Sequence, residues 1–176
     1  MASLGVHGDP GGWENAASII GSTVGPLTGE LEDADAKGGR GLSEHWYGPA
    51  YDRYQDAWRQ RYQRHGDLID YAERAAKALY EFGGLLPGFQ SQAYNLEQHY
   101  LGYGLHLQPD GLGFRLPPGH ESLPQALKSI LEGLLRESEN KIPAMWRDID
   151  DAIGVLSHTA NPVIDWLDRT AALPWW

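Results

Sequence analysis

Seven histidines are the side chains of this 176-residue chain most suited to acid-base or metal chemistry. Such chemistry needs a second group at a set spacing, as in His-x-x-x-His or His-Glu-x-x-His, or a base near a Gly-framed serine nucleophile. None of these patterns occurs at His45, His65, His99, His106, His120 or His158. His65 continues an apolar helical pattern, which favours a core or interface residue over a ligand. The sequence therefore predicts no catalytic residue.

Two groups of carboxylates could attract a cation, and both are better explained as solvated helix faces. Hard cations need convergent oxygen ligands, whereas carboxylates one or two positions apart on a helix point in different directions. The groups are Glu30, Glu32, Asp33 and Asp35, and Asp148, Asp150 and Asp151. We expect neither a metal site nor a cofactor.

The overall composition of the chain makes some classes of binding partner improbable. With 14 basic against 24 acidic residues, the formal charge of −10 would repel a nucleic-acid backbone. The chain has no cysteine, which excludes disulfides and thiolate metal sites. No segment reaches the ~20 apolar residues of a membrane span, and residues 1–12 lack the pattern of a secretory signal. We therefore expect neither nucleic-acid binding nor membrane insertion.

A first helix is predicted from small and apolar residues that recur every three or four positions. They are Trp13, Ala17, Ile20, Val24, Leu27, Leu31 and Ala34. The pattern continues towards Trp46 but is interrupted at residues 38–41. Several glycines and Pro26 lie within it, and each Gly costs ~1 kcal/mol relative to Ala in a helix interior. We expect a helix that is kinked near Pro26 and depends on packing.

A second helix is predicted from about residue 50 to residue 82, because aromatic and aliphatic residues again recur every three or four positions. Between the helices, Gly48 can adopt the positive φ that ends a helix, and Pro49 has the φ of a first helical turn. The sequence therefore predicts an antiparallel helical hairpin whose bend is Trp46-Tyr47-Gly48.

Residues 84–121 are rich in Gly and Pro and are predicted to be a linker with a short helix around 90–100. Apolar and polar residues alternate on both sides of Gln108-Pro109-Asp110-Gly111. Pro in the second position and Gly in the fourth suit a type I turn. This segment predicts a small β-hairpin over 105–116.

Residues 122–176 predict further helices. Ser122 and Gln125 have the spacing of a capping box, residues 140–143 contain a proline that should break or bend the helix, and Asn161 with Pro162 should begin the last one. The predicted fold class is all-α in the main: a helical hairpin over 1–83, the linker over 84–121 and a helical extension over 122–176.

Four residues at the bend suggest a family. Trp46 and Gly48 frame one residue, and Tyr54 and Trp58 follow Trp46 by eight and twelve positions, where they would pack on the inner face of the hairpin. On these residues, the chain from about 10 to 83 resembles the Trp-x-Gly (WxG) proteins of type VII (ESX-type) secretion. Those are small helical hairpins that pair into four-helix bundles. The resemblance covers somewhat less than half of the chain.

The resemblance implies a non-enzymatic protein that pairs through its hairpin with a WxG-type protein, a toxin or effector, or a second copy of itself, for export or chaperoning. It implies a cytoplasmic chain before export, and release by the secretion machinery without a cleavable signal peptide. The family's export signal, Tyr followed four residues later by Asp or Glu, is absent, which implies export through a partner's signal or a non-exported relative. The turn motif would be Trp46 and Gly48. The partner would contact Trp13, Ile20, Val24, Leu27, Leu31, Tyr54, Trp58 and Leu68.

Two alternatives remain open at the level of sequence. The chain could be a self-contained helical scaffold or an enzyme of unrecognised type, with its carboxy-terminal helices covering the hairpin and a pocket near His99, His106 and His120. It could also be the amino-terminal targeting module of a longer toxin. The exposure of the apolar stripe on residues 13–82 distinguishes the first alternative from the binding protein. A hairpin that docks onto a partner leaves the stripe exposed, whereas a self-contained protein covers it and has a polar pocket.

Overall fold

The structure is a computed structural model that describes residues 4–44 and 46–171, so His45 lies outside the described residues. The predicted class, mainly all-α with a small β-hairpin, is confirmed. The elements in chain order are α1 (Pro10–Ala34), a π-helical turn (Asp35–Arg40), a 3₁₀ turn (Gly41–Glu44), α2 (Pro49–Gly102), β1 (His106–Leu107), β2 (Phe114–Arg115), a second 3₁₀ turn (His120–Ser122) and α3 (Gln125–Ala171).

The described residues form two compact units. The sheet unit consists of residues 4–10 and Phe82–Gly154, and the hairpin unit consists of Gly11–Glu81 and residues 155–171. The three-part domain division made from the sequence stays a prediction.

In the hairpin unit, α1 and α2 are antiparallel, as predicted. Tyr54 is hydrogen-bonded to Gly38, whereas Trp58, one turn later, is hydrogen-bonded to Asp35, which comes earlier in the chain. The two arms of the hairpin therefore run in opposite directions. Among the side chains of this unit that the structure describes, the buried apolar ones are Ala17, Val24, Ala75 and Ala78.

The second helix does not end at residue 82, because α2 continues through Gly83, Gly84 and Pro87 to Gly102. Two glycines and a proline cost about 5 kcal/mol in a helix interior. Against this cost, Phe82, Leu86 and other apolar residues spaced by three or four positions are buried in the sheet unit, and each large side chain contributes ~1.5–3 kcal/mol. Tertiary burial thus overrides local propensity, and the first half of the predicted linker, as far as Gly102, is helix.

The amino-terminal segment contributes to the core of the sheet unit. The Leu4 side chain is buried, and its backbone N–H donates to Glu97 Oε2 at 2.9 Å. At Gly8, four residues after Leu4, the backbone carbonyl accepts a hydrogen bond from Gln90 Nε2 at 2.9 Å. The segment therefore lies along residues 90–97 of α2, within the stretch that was predicted to be a linker.

The carboxy-terminal part is one helix, α3, so the helix does not break at 140–143, where a bend stays a prediction, and the predicted helix start at Asn161 is wrong. Apolar positions continue every three or four residues through Pro143, and this face is buried. Its members include Leu131, Ile142, Met145 and Ile149. The predicted capping box is also wrong, because Ser122 Oγ donates to the Gly119 carbonyl and α3 begins only at Gln125.

The predicted β-hairpin is confirmed. His106 pairs with Arg115 and Leu107 with Phe114 in an antiparallel register. The Gly111 N–H donates to the Gln108 carbonyl at 3.0 Å, which closes the expected four-residue turn. The hairpin attaches to the core where the Phe114 ring lies 5.1 Å from the Tyr100 ring.

Replacing Leu4 with Ala is expected to lower the free energy of unfolding of the sheet unit by about 2–4 kcal/mol, because a buried leucine is truncated. Urea unfolding monitored by circular dichroism measures the change. The control is Leu85→Ala in the same unit, where the side chain is 51% exposed, and there we expect a change within about 0.5 kcal/mol. Equal effects of the two variants would show that the amino-terminal segment is not part of the core.

Candidate protein-docking groove

The predicted turn motif lies at the bend of the hairpin. Gly48 has a φ of 104°, which a residue with a side chain rarely adopts. Its carbonyl accepts from the Asp52 N–H at 3.1 Å in the first turn of α2. The Trp46 ring lies 5.4 Å from the Tyr54 ring and 5.8 Å from the Tyr51 ring, yet Trp46 itself is partly exposed. Trp46 thus packs against tyrosines of α2 at the surface of the bend and is not part of a buried core.

Below the bend, α2 is hydrogen-bonded to the π-helical turn, a feature that the sequence analysis missed. The donors are side chains of α2 and the acceptors belong to the turn. The hydrogen bonds are Tyr54 Oη to the Gly38 carbonyl at 3.0 Å, Gln55 Nε2 to the Gly39 carbonyl at 2.5 Å and Trp58 Nε1 to Asp35 Oδ1 at 3.0 Å. The start of α2, from Tyr54 to Trp58, is therefore hydrogen-bonded to the other arm of the hairpin.

These contacts leave no room at Gly39. A Cβ atom there would lie 2.5 Å from Trp58 Nε1 and would also overlap the Asp35 carboxylate. The interruption at 38–41 that the sequence predicted is therefore a site of close approach between the two arms of the hairpin. The Trp58 ring therefore lies directly against the π-helical turn.

An apolar groove of about 430 Å³ begins below this anchor, between α1 and α2. It brings together four of the eight predicted partner-binding residues: Leu27, Leu31, Trp58 and Leu68. Other lining residues, which the site prediction omitted, are Glu30, Ala34, Arg61, Tyr62, His65 and Ile69. All of them except Ile69, which follows Leu68 directly, lie three or four positions from a predicted residue, so the helical period was sufficient to find five of the six.

The remaining predicted contact residues are placed differently. Tyr54 stacks on Trp58 at 6.3 Å between ring centroids and so borders the groove. Val24 is buried within the hairpin unit and presents no surface to a partner. Trp13 and Ile20 are half-buried and do not line the groove. The set of eight therefore does not form one continuous face.

The groove occupies the part of the hairpin that lacks a core. Among the described residues from 25 to 74, Gly39 is the only one that is buried. Leu27 is 42% exposed, and the other large apolar residues that line the groove are partly exposed. Clustered apolar surface of this kind is typical of protein-docking sites.

The charged side chains around the groove are divided between its two walls. Glu30 belongs to α1, whereas Arg61 belongs to α2. The other members of the acidic cluster on α1 are solvated or paired: Asp33 with Lys37, and Asp35 with Arg40 at 3.1 Å. The described residues contain no group of three or more His, Asp or Glu side chains arranged to hold a metal ion.

The cleft that His99 lines does not bring together the three histidines of the alternative hypothesis. A cleft of about 490 Å³ in the sheet unit is lined by His99 and Lys141, but by neither His106 nor His120. His120 Nδ1 lies 3.2 Å from the Pro117 carbonyl oxygen instead. His99 contacts the rings of Tyr100 and Tyr103.

Tyr100 is the most buried titratable residue of the sheet unit, and its hydroxyl has no hydrogen-bond partner among the described protein groups. Burial raises its pKa, the Glu137 carboxylate raises it further, and Lys141 opposes both. Glu137 and Lys141 form an ion pair, and the hydrogen bond from Lys141 lowers the pKa of Glu137. The cluster stabilises the neutral phenol.

Comparisons of the chain with protein-family models, with curated proteins and with solved structures find no match. No helix of the described residues is long and apolar enough to cross a bilayer. The groove and the resemblance at the bend are therefore the features of this chain that bear on its function.

Replacing Gly39 with Ala is expected to destabilise the hairpin unit by about 1–3 kcal/mol, because Trp58 and Asp35 must move. The matched control is Gly29→Ala on α1, where a Cβ meets no atom within 4 Å. That variant should stabilise α1 by about 0.5–1 kcal/mol through helix propensity. Thermal unfolding measures both changes, and shifts of the same sign would contradict the close approach at Gly39.

Replacing Tyr100 with Phe is expected to change stability at pH 7 by less than about 1 kcal/mol, because the lost hydroxyl has no partner. Folding raises the pKa of Tyr100 above its value of about 10 in the unfolded chain. The contribution of the neutral phenol to the free energy of unfolding is therefore fully present below about pH 10 and decreases as the pH rises above it. Urea unfolding at about pH 9 and pH 11 should show a smaller alkaline loss in the variant. An equal loss in both proteins would contradict this role for Tyr100.

Proposed function

We propose that this protein is a non-enzymatic, type VII secretion-associated binding protein that pairs through its hairpin with a second helical hairpin, a WxG-type protein or an effector, for export or chaperoning. The observation that carries the proposal is the groove between α1 and α2, which exposes Leu27 and Trp58 in a segment with almost no buried residue. An occupant that covers these side chains would supply the missing half of a four-helix bundle.

The chemistry of the groove favours an amphipathic helical occupant. Its walls are two antiparallel helices, and its lining residues recur every three or four positions, as in the seam of a helix bundle. A helical partner can insert apolar side chains between Leu31 and Tyr62 while its polar face stays in water. Such pairing needs neither a catalytic group nor a cofactor.

The resemblance to WxG proteins adds the secretion context. Trp46 and Gly48 occupy the bend, and Tyr54 and Trp58 join the bend to the groove through stacked rings. Under this proposal the protein resides in the cytoplasm until it is exported with its partner. A self-contained scaffold would instead have its apolar residues covered within the chain, which is not the arrangement around Leu27.

The test uses charge placed in the groove. Leu27→Glu and Leu31→Glu should each weaken binding to the partner at least tenfold, because a carboxylate would have to lose its hydration against the apolar lining of the groove. The matched control is Ile19→Glu on the same helix, where the side chain is 57% exposed and does not line the groove. Isothermal titration against the purified product of each flanking open reading frame measures the affinity.

Hydrogen exchange supplies an independent readout. Complex formation should slow exchange in residues 25–40 and 53–74, and should leave residues 125–150 unchanged. A partner that binds the Glu variants as tightly as the wild-type chain, or that protects only residues 125–150, would refute docking at the groove.

A further inference from the structure

The amino-terminal segment, residues 4–8, lies along α2 in the sheet unit. Two hydrogen bonds to α2 join residues that are 93 and 82 positions apart in the chain, Leu4 with Glu97 and Gly8 with Gln90. The segment therefore contacts α2 as a tethered peptide would. We infer that its place on α2 is a binding site for an extended peptide of a partner, with a leucine followed four positions later by a glycine. The amino-terminal segment fills this site until such a peptide displaces it.

Both polar anchors of the site bind backbone groups. Glu97 Oε2 accepts from the Leu4 N–H, and Gln90 Nε2 donates to the Gly8 carbonyl, each at 2.9 Å. Peptide backbones carry these groups whatever their sequence, and a hydrogen bond to a carboxylate is stronger than one between neutral groups. The anchors thus recognise the backbone of a peptide.

The spacing of the anchors fits an extended chain. Gln90 and Glu97 are seven residues apart on α2, which is about 10 Å of helix rise. Leu4 and Gly8 are four residues apart, which is about 13 Å in an extended chain but only about 6 Å in a helix. The anchoring side chains can span the small difference from 13 Å, so the site favours an extended peptide over a helical one.

The site selects apolar side chains at two positions. Leu4 is 1% exposed and belongs to the buried cluster that contains Ala93 and Tyr100. Val6 is partly buried against the same cluster, whereas His7 is exposed. Side chains of an extended chain alternate between two sides. A peptide in this site therefore needs leucine first and an apolar residue two positions later.

The position next to the Gln90 anchor requires glycine. A Cβ atom on Gly8 would lie 2.8 Å from Leu86 Cδ2. Leu86 is 3% exposed, so its side chain cannot turn away into solvent. The close approach of the backbone to α2 thus excludes other residues at this position.

The tether makes the site autoinhibited. A segment held by a short linker competes at an effective concentration of about 1 mM. A free peptide that binds the empty site with a Kd of about 100 µM would therefore bind the wild-type chain about tenfold more weakly. A substitution that weakens the amino-terminal segment without changing α2 should uncover the site.

The test uses a fluorescently labelled peptide of residues 4–9, acetylated so that the Leu4 nitrogen remains an amide. By fluorescence anisotropy, the peptide should bind the full-length Leu4→Ser chain about tenfold more tightly than the wild-type chain. Peptides that carry Leu4→Ser or Gly8→Ala should bind the Leu4→Ser chain at least tenfold more weakly than the unchanged peptide.

A matched pair of glutamines tests the backbone anchor. In the Leu4→Ser chain, Gln90→Ala should weaken peptide binding about three- to tenfold, because one hydrogen bond is lost. The control is Gln92→Ala on the same helix, where the side chain is exposed and lines the cleft beside Lys141. That variant should leave peptide binding unchanged.

Hydrogen exchange of the wild-type chain tests the site without any substitution in the protein. With isotope-labelled protein and about 5 mM unlabelled peptide, displacement should raise the exchange rate of the Leu4 amide about fivefold or more. The Gly8→Ala peptide should leave that rate unchanged. This measurement decides the matter if the Leu4→Ser chain does not fold.

Three results would overturn the inference: no binding of the peptide to the folded Leu4→Ser chain at about 1 mM, equal binding of the Gly8→Ala peptide, or an unchanged exchange rate of the Leu4 amide in the wild-type chain. None of these measurements involves the groove between α1 and α2, so either outcome leaves the proposed function as it stands.

Discussion

Two packed helices share only one contact face, and this limit governs the hairpin unit. Side chains between α1 and α2 can be buried only where a further element covers them or where the residues are small, as at Ala17 and Ala75. From residue 25 to residue 74 the described chain buries only Gly39, because large residues such as Leu27 have no third layer. The groove is a direct consequence of this geometry.

In the sheet unit, by contrast, more than two elements pack together and bury large side chains. Residues from the amino-terminal segment, α2, the β-hairpin and α3 converge on one core around Tyr100 and Met145. That convergence stabilises α2 through Gly83 and Pro87 and α3 through Pro143, where local propensity alone favours a break. One chain thus contains a self-sufficient core and a hairpin with uncovered apolar surface.

The bend and the π-helical turn give the groove a defined shape. Trp58 is held by Asp35 of the π-helical turn and by the stacked Tyr54 ring, so its indole is fixed at the groove wall before any partner binds. Preorganised aromatic side chains lose little conformational entropy on binding, which favours them at docking sites. The same contacts set the level at which Glu30 and Arg61 lie, and hence the charge pattern that a partner meets.

The sequence by itself determined the elements whose signals are local: the helical hairpin, its bend at Gly48 and Pro49, and the β-hairpin around Pro109 and Gly111. It also determined four of the ten residues that line the groove, since Leu27 and Leu31 on α1 and Trp58 and Leu68 on α2 follow the helical period. Only the tertiary structure decided where α2 and α3 end, because burial of distant residues outweighs glycine and proline, and only it decided that Val24 is buried while Leu27 is exposed. Periodicity assigns residues to a helix face, whereas the neighbours of that face depend on contacts far apart in the chain.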